Sequence, residues 1–159
     1  IKAKVAGPFK DTDTEQNVQK RIQNLHTVEY VGPKYGNDKE EFFRSIDLLV
    51  FPTLYENEAE PLTIYEAMRY SVPVIAYGRG CIPEMVNHKC GMVIDPDESF
   101  APAAVEKIKE WLQSPELYET TSHSAGERFV NILTENKNRW KALLNEILGE
   151  DTNTSNIIQ

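Results

Sequence analysis

An α/β fold, with a doubly wound, Rossmann-like parallel sheet followed by C-terminal helices, is predicted by three features of the sequence. Strand-like and helix-like segments alternate from the first residues to about residue 113. Two strand-like segments, Asp47 to Phe51 and Pro73 to Tyr77, are continuous apolar runs, the pattern of parallel strands covered on both faces. The last third carries helical periodicity and no strand signal.

The elements follow in order. Lys2 to Gly7 is a short strand ending in Gly-Pro, and Asp13 to Leu25 is a helix with Val18, Ile22 and Leu25 on one side. Thr27 to Val31 is a second strand, broken by Gly32-Pro33. Asn37 to Ser45 is a short amphipathic helix with Phe42, Phe43 and Ile46 on its apolar side. After the third strand, Pro61 to Tyr70 is helical, with Pro61 suited to the first helical position. Pro73 to Tyr77 is the fourth strand and Gly91 to Ile94 a weaker fifth. Three helices complete the chain. Pro102 to Gln113 presents Val105, Ile108, Trp111 and Leu112, Leu117 to Phe129 is the second, and Trp140, Leu143, Leu144 and Ile147 mark the third.

Size and composition narrow the class. The 159 residues make one domain, placed at residues 1–149, with residues 150–159 expected as a disordered tail. Apolar residues at 40% and charged residues at 26% suit a folded globular chain. No apolar run approaches the roughly 18 residues of a membrane-spanning helix. A net charge of −8 argues against nucleic acid as a partner, since that needs a basic stripe. Cys81 and Cys90 lack companion ligands at zinc spacing, so no metal is expected and both read as reduced thiols of a cytoplasmic protein. The chain opens at Ile1 with no Met and no leader pattern, and reads as part of something longer.

Parallel sheets of this kind bind ligands beyond the carboxyl ends of their strands. The loops after Gly7, Val31, Phe51 and Tyr77 are therefore the place to look for chemistry. The loop after Phe51 feeds a helix beginning near Pro61, whose first-turn amides around Leu62 and Thr63 offer a seat for a diphosphate. Glu66 lies about one turn in, where a carboxylate suits paired hydroxyls. Glu58 lies before the helix. Gly78 and Gly80 allow the next loop a close approach, having no Cβ. Plainer readings exist for each: Glu66 as one more charge on a solvated helix face, Glu58 as part of an acidic loop with Glu56 and Glu60, the two glycines as a turn. Ile64, Tyr65 and Met68 read as core, and His26 and His123 as surface residues or element ends.

The order of these pieces carries more than any one of them. A strand ending in Pro52-Thr53 precedes Glu58 and Glu66, which have seven residues between them. Glu66-Ala67-Met68, Val72-Pro73-Val74-Ile75, Gly80-Cys81-Ile82-Pro83-Glu84 and Gly91 through Asp95-Pro96 then follow. In order and spacing the chain, from about Val5 to residue 113, resembles the donor-binding domain of retaining glycosyltransferases of family 4, the glycosyl transferases group 1, which have the GT-B fold.

The resemblance implies a domain that binds a nucleoside diphosphate sugar and supports transfer of the sugar to an acceptor with retention. It implies a cytoplasmic hexosyltransferase-type enzyme of bacterial polysaccharide or glycoconjugate synthesis, needing no cofactor beyond the donor substrate. The first glutamate, Glu58, takes the catalytic place toward the sugar, and Glu66 takes the place toward the ribose. Leu62, Thr63, Gly78 and Gly80 fall in the donor-binding site, and Val31, Pro33 and Lys34 at the base. The acceptor would be bound mainly by an N-terminal domain that this sequence lacks, and any peripheral membrane association would come through that half. The isolated chain is then expected to be inactive. In the family a Gly-Phe-Gly or Ala-Phe segment often stands between the glutamates, whereas here it is Ala59-Glu60-Pro61. A carboxylate at Glu60 repels a diphosphate unless it points to solvent. The family's basic pair for the leaving diphosphate has no match in the sequence.

Three other functions share this fold class or its elements. A non-catalytic nucleotide- or sugar-binding module of the same fold is the first. A receiver-type signalling domain wants clustered aspartates after its first strand, where Gly7-Pro8-Phe9 stands. A dinucleotide dehydrogenase wants a Gly-x-Gly-x-x-Gly turn that follows no strand here.

Overall fold

The computed structural model describes residues 1–148, so the tail expected at 150–159 lies outside the described residues. The chain divides into two compact units, Ile1–Ser45 and a second that begins at Ile46.

In the first unit β1 (Ala3–Ala6) pairs in parallel with β2 (Val28–Gly32), with a register shift between Val5 and Ala6. The crossover helix α1 (Thr12–Ile22) starts because Asp11, in extended conformation, accepts from the Thr14 N–H at 2.7 Å. Hydrogen bonding from the Thr14 side chain, and then from its N–H, holds the Asp11 carboxyl below its ordinary pKa. Asp13 and Glu15 in the first turn and Lys20 and Arg21 in the last complement the helix dipole. Phe9 stacks on Tyr30 with ring centroids 4.4 Å apart, and the Tyr30 hydroxyl donates to the Gly7 carbonyl at 2.8 Å. The helix α2 (Gly36–Arg44) buries Phe43.

The second unit holds three parallel strands in the order β3 (Leu49–Phe51), β4 (Val74–Tyr77), β5 (Gly91–Ile94). The five expected strands therefore all form, every pairing parallel, as a two-stranded and a three-stranded ladder. Only β4 is buried along its whole length. β3 has one ladder neighbour and leaves Val50 44% exposed, so the apolar run that predicted cover on both faces has it only in part. Between β3 and β4 lies α3 (Leu62–Arg69), which buries Ile64, Ala67 and Met68. Pro61 stands at its N-cap position, one residue before the place expected. A single turn, α4 (Ile82–Met85), follows β4; four residues are too few for periodicity to reveal.

Pleating sends Ile75 and Tyr77 of β4 to one face. There they pack with Ile94, Ala104 and Trp111, and Phe100 and Ile108 close the cluster. The inward stripe of α5 (Phe100–Gln113) is thus Ala104, Ile108 and Trp111, a spacing of four and three. Val105 and Leu112, expected on that face, are 48% and 60% exposed because each sits one position around the helix from it.

The two helices expected after residue 117 are one continuous α6 (Pro115–Leu148). Residues 130–139 are polar in part but contain neither Pro nor Gly, so nothing stops helical propagation between the two apolar patches. Its N-terminal half fastens separate parts of the unit. The Tyr118 hydroxyl donates to the Asp47 carbonyl at 2.9 Å and Ser122 Oγ to the Ser71 carbonyl at 2.7 Å. Arg128 donates to the carbonyls of Glu84 and Met85 at the end of α4. Ser71 closes α3 in the left-handed region (φ 59°), with its own N–H bonded to the Met68 carbonyl and that of Val72 to Ala67. Gly126 fits against it: an added Cβ would lie 2.5 Å from Ser71 Oγ.

A close test of this packing is at Gly91, where an added Cβ would come 2.1 Å from the Val74 carbonyl oxygen. Gly91→Ala should lower stability by about 1–3 kcal/mol, as overpacking does. A fall in the urea midpoint of the intact protein checks this, and an unchanged midpoint would mean that the β4–β5 pair has slack.

Candidate functional site

Because β3 and β4 are parallel neighbours, the segments that leave them emerge at the same end of the sheet. Residues 52–61 leave β3 and residues 78–81 leave β4, and the two loops touch. The Cys81 N–H donates to the Ala59 carbonyl at 2.8 Å. Gly80, at φ 53°, lies so close that a Cβ there would be 2.0 Å from the Glu58 carbonyl oxygen and 2.5 Å from that of Ala59. Only glycine combines that dihedral with that approach. At Gly78 a Cβ would meet Val93 Cγ1 at 3.0 Å, a close but side-chain contact. The absent side chain of Gly80 thus serves the protein's own packing. The contact at Gly80 brings Glu58 beside the loop of Gly78 and Gly80.

Two acidic residues of the first loop, Glu58 and Glu60, are tethered. Glu58 is half-buried and accepts from Thr53 Oγ1 at 3.1 Å, while Thr53 Oγ1 in turn accepts from the Tyr55 N–H at 3.2 Å. Glu60 is exposed and accepts from the Tyr65 hydroxyl one turn into α3. Burial, reinforced by that bond, pushes the Tyr65 phenol well above its ordinary pKa, so it stays a donor throughout the neutral range. Glu60 is therefore drawn to the surface of α3, which answers the repulsion its position suggests.

Helix α3 starts without a side-chain cap and with no acidic residue in its first turn. The Ile64 N–H bonds back to the Pro61 carbonyl at 3.0 Å, and Leu62 and Thr63 supply the first-turn amides at the positive end. Leu62 itself is 70% exposed. Glu66 follows one turn later and is half-buried. Ile64 and Met68 are fully buried and Tyr65 half-buried, as core residues should be.

Val31, Pro33 and Lys34 lie at and just past the end of β2, in the first unit. Val31 and Lys34 line a depression of about 280 Å³ there with Lys4, Asp38, Glu41 and Phe42. In the second unit an open groove of about 620 Å³ lies at the amino end of β5, between Val86–His88 and α5, away from the loops just described. Among the described residues no cluster of His, Cys, Asp and Glu could hold a metal, and no helix is long and apolar enough to cross a membrane.

Sequence reasoning missed four residues that shape this end of the fold. Thr53 could have been found as the hydroxyl closing the strand five residues before Glu58. Arg79, between two glycines of a ligand-end loop, was equally visible. Tyr65 was read as core alone, and its bond to Glu60 shows only in the fold. Arg128 has no local signal, since its carbonyl partners lie more than forty positions away.

Comparison with known proteins adds to this geometry. The family model described as "Glycosyl transferases group 1" matches residues 1–128. The D-rhamnosyltransferase WbpZ of Pseudomonas aeruginosa is 27% identical over 132 residues, which cover 81% of this chain and 33% of that protein. The sulfoquinovosyl transferase SQD2 of Arabidopsis thaliana is 27% identical over 148 residues, covering 91% of this chain and 26% of that protein. Among solved structures, Anabaena HepE in complex with UDP superposes with a TM-score of 0.74 at 22% identity, over 90% of this chain and 40% of that one. The chain thus spans about a third or less of the curated relatives it matches.

The loop contact yields a direct test. In Gly80→Ala both the dihedral and the approach to the Glu58 carbonyl are lost, at a cost of about 1–3 kcal/mol. The Cys81 amide should be protected from hydrogen exchange in the parent protein and lose that protection in the variant. Continued protection would mean that the two loops are held together by something else.

Proposed function

The chain belongs to the glycosyl transferases group 1 family, and on that premise we propose that it is a donor-binding domain. It seats a nucleoside diphosphate sugar and supports transfer of the sugar to an acceptor alcohol with retention. The observation that supports this most is the contact of the Glu58–Ala59 backbone with Gly80 and Cys81. It gathers the first glutamate, the uncapped start of α3 and the glycine loop at the ligand end of a parallel sheet.

In this reading the diphosphate lies against the amides of Leu62 and Thr63 and the loop of Gly78 and Gly80. Glu66 accepts from the ribose hydroxyls, and Glu58, oriented by Thr53, faces the sugar. The hard step is departure of the diphosphate as positive charge grows at the sugar carbon. Fixed dipoles lower that barrier because they are oriented before the charge develops. Glu58 contributes as a carboxylate near the sugar, and no protein nucleophile is assigned. The acceptor and its activating groups come from a part of the protein outside this sequence, which the length of the relatives makes room for.

Calorimetric titration of the intact protein with a panel of nucleotide sugars tests the reading: one should bind, and binding of none would end it. With that donor, Glu66→Ala should lose about 1.5–3 kcal/mol of affinity, the range for a charge-assisted hydrogen bond. Unchanged affinity would remove the ribose role from Glu66. Residues 1–159 alone should transfer no sugar to any acceptor that the intact protein uses. Transfer by the fragment at the intact protein's rate would make the second domain dispensable.

A further inference from the structure

Arg79 is a cation held in the ligand-end loop with no ion pair among the described residues. It stands between Gly78 and Gly80, just past the carboxyl end of β4. Its main chain is fixed: the N–H donates to the Tyr77 carbonyl at 2.9 Å, and the carbonyl accepts from the Ile82 N–H at 3.0 Å. The next residue, Gly80, is wedged against the Glu58 carbonyl. The side chain is half-buried, and its Nε is sealed from solvent with no acceptor among the described residues.

A folded protein ordinarily satisfies a buried charged donor, because drying a charge without a partner is costly. Two carboxylates of the facing loop are engaged elsewhere, Glu58 with Thr53 and Glu60 with Tyr65, and the third, Glu56, is exposed. The loop therefore offers a guanidinium whose Nε–H is left without an acceptor among the described residues. Position selects the chemistry of that partner. The residue sits at the ligand end of a parallel sheet, in the loop that touches Glu58. A guanidinium presents paired donors in a plane, which match two oxygens of one phosphate.

We propose that Arg79 binds the diphosphate of the nucleotide-sugar donor, completing its own hydrogen bonding and neutralising the leaving group. The inference rests on the donor-site reading above. It also gives the site a cation from the β4 loop, in a sequence that has no match to the family's basic pair. One guanidinium offsets one of the diphosphate's negative charges, and the first-turn amides of α3 add their dipoles.

The test uses the intact protein with UDP, GDP, the matching monophosphates and the free nucleosides, read by calorimetry and by thermal melting. Arg79→Gln should weaken the diphosphate that binds by about 10- to 100-fold, the equivalent of a charge-assisted hydrogen bond. It should weaken the monophosphate less and leave the nucleoside unchanged, and Arg79→Lys should recover part of the loss. Without ligand, Arg79→Gln should melt at the parent temperature or above it, since a cation without a partner does not hold the fold together. Equal diphosphate affinity in parent and Arg79→Gln would overturn the inference and leave the donor site standing. A lower melting temperature with undiminished stabilisation by diphosphate, in both variants, would make Arg79 a structural residue and also overturn it. A parent protein that binds neither diphosphate would remove the donor-site reading, and this inference with it.

Discussion

The second unit depends on the burial of one strand. Val74, Ile75 and Ala76 of β4 have no exposed surface, so every backbone N–H and C=O there must be paired within the protein. Parallel ladders to β3 and β5 supply those bonds. Parallel pairing then requires a crossover on each side of β4, which is why α3 and α4 lie between the strands in sequence. It also sends the exits of β3 and β4 to the same end. The meeting of Glu58 with Gly80 is thus a consequence of how β4 hides its backbone.

Charge at that end is arranged locally. Two carboxylates five or fewer positions from the start of α3 would oppose an anion there. Thr53 holds one and Tyr65 draws the other onto the helix surface. The helix start is left with uncapped amides and no acid in its first turn, and the neighbouring loop contributes Arg79. The balance favours an anion at this end of a chain whose net charge is −8.

Helix α6 holds these parts in place from a distance. Tyr118, Ser122 and Gly126 fall on successive turns, with Arg128 two residues on, and together they meet the start of β3, the end of α3 and the end of α4. Three of the contacts go to backbone carbonyls, so they fix chain direction without demanding particular side chains from their partners. Farther along, Trp140, Leu143 and Ile147 keep the helical spacing of an apolar face but are 61%, 43% and 68% exposed.

The sequence by itself determined the fold class, the five strands and the order of the site pieces. Those follow from local patterns: apolar runs for strands, three-to-four spacing for helices, and Gly or Pro at the breaks. It also placed Glu58, Glu66 and Gly80, because their spacing along the chain sets their place in a β-α-β unit. Tertiary structure decided which apolar residues are inside. Ala104 rather than Val105 or Leu112 faces the sheet, since helix rotation is set by what Ile75, Tyr77 and Ile94 leave room for. It decided that residues 115–148 form one helix, and that Glu60 bonds to Tyr65. It also decided that Arg79 Nε has no acceptor among the described residues. Such facts depend on distances between residues far apart in the chain, and no local pattern encodes a distance that only packing fixes.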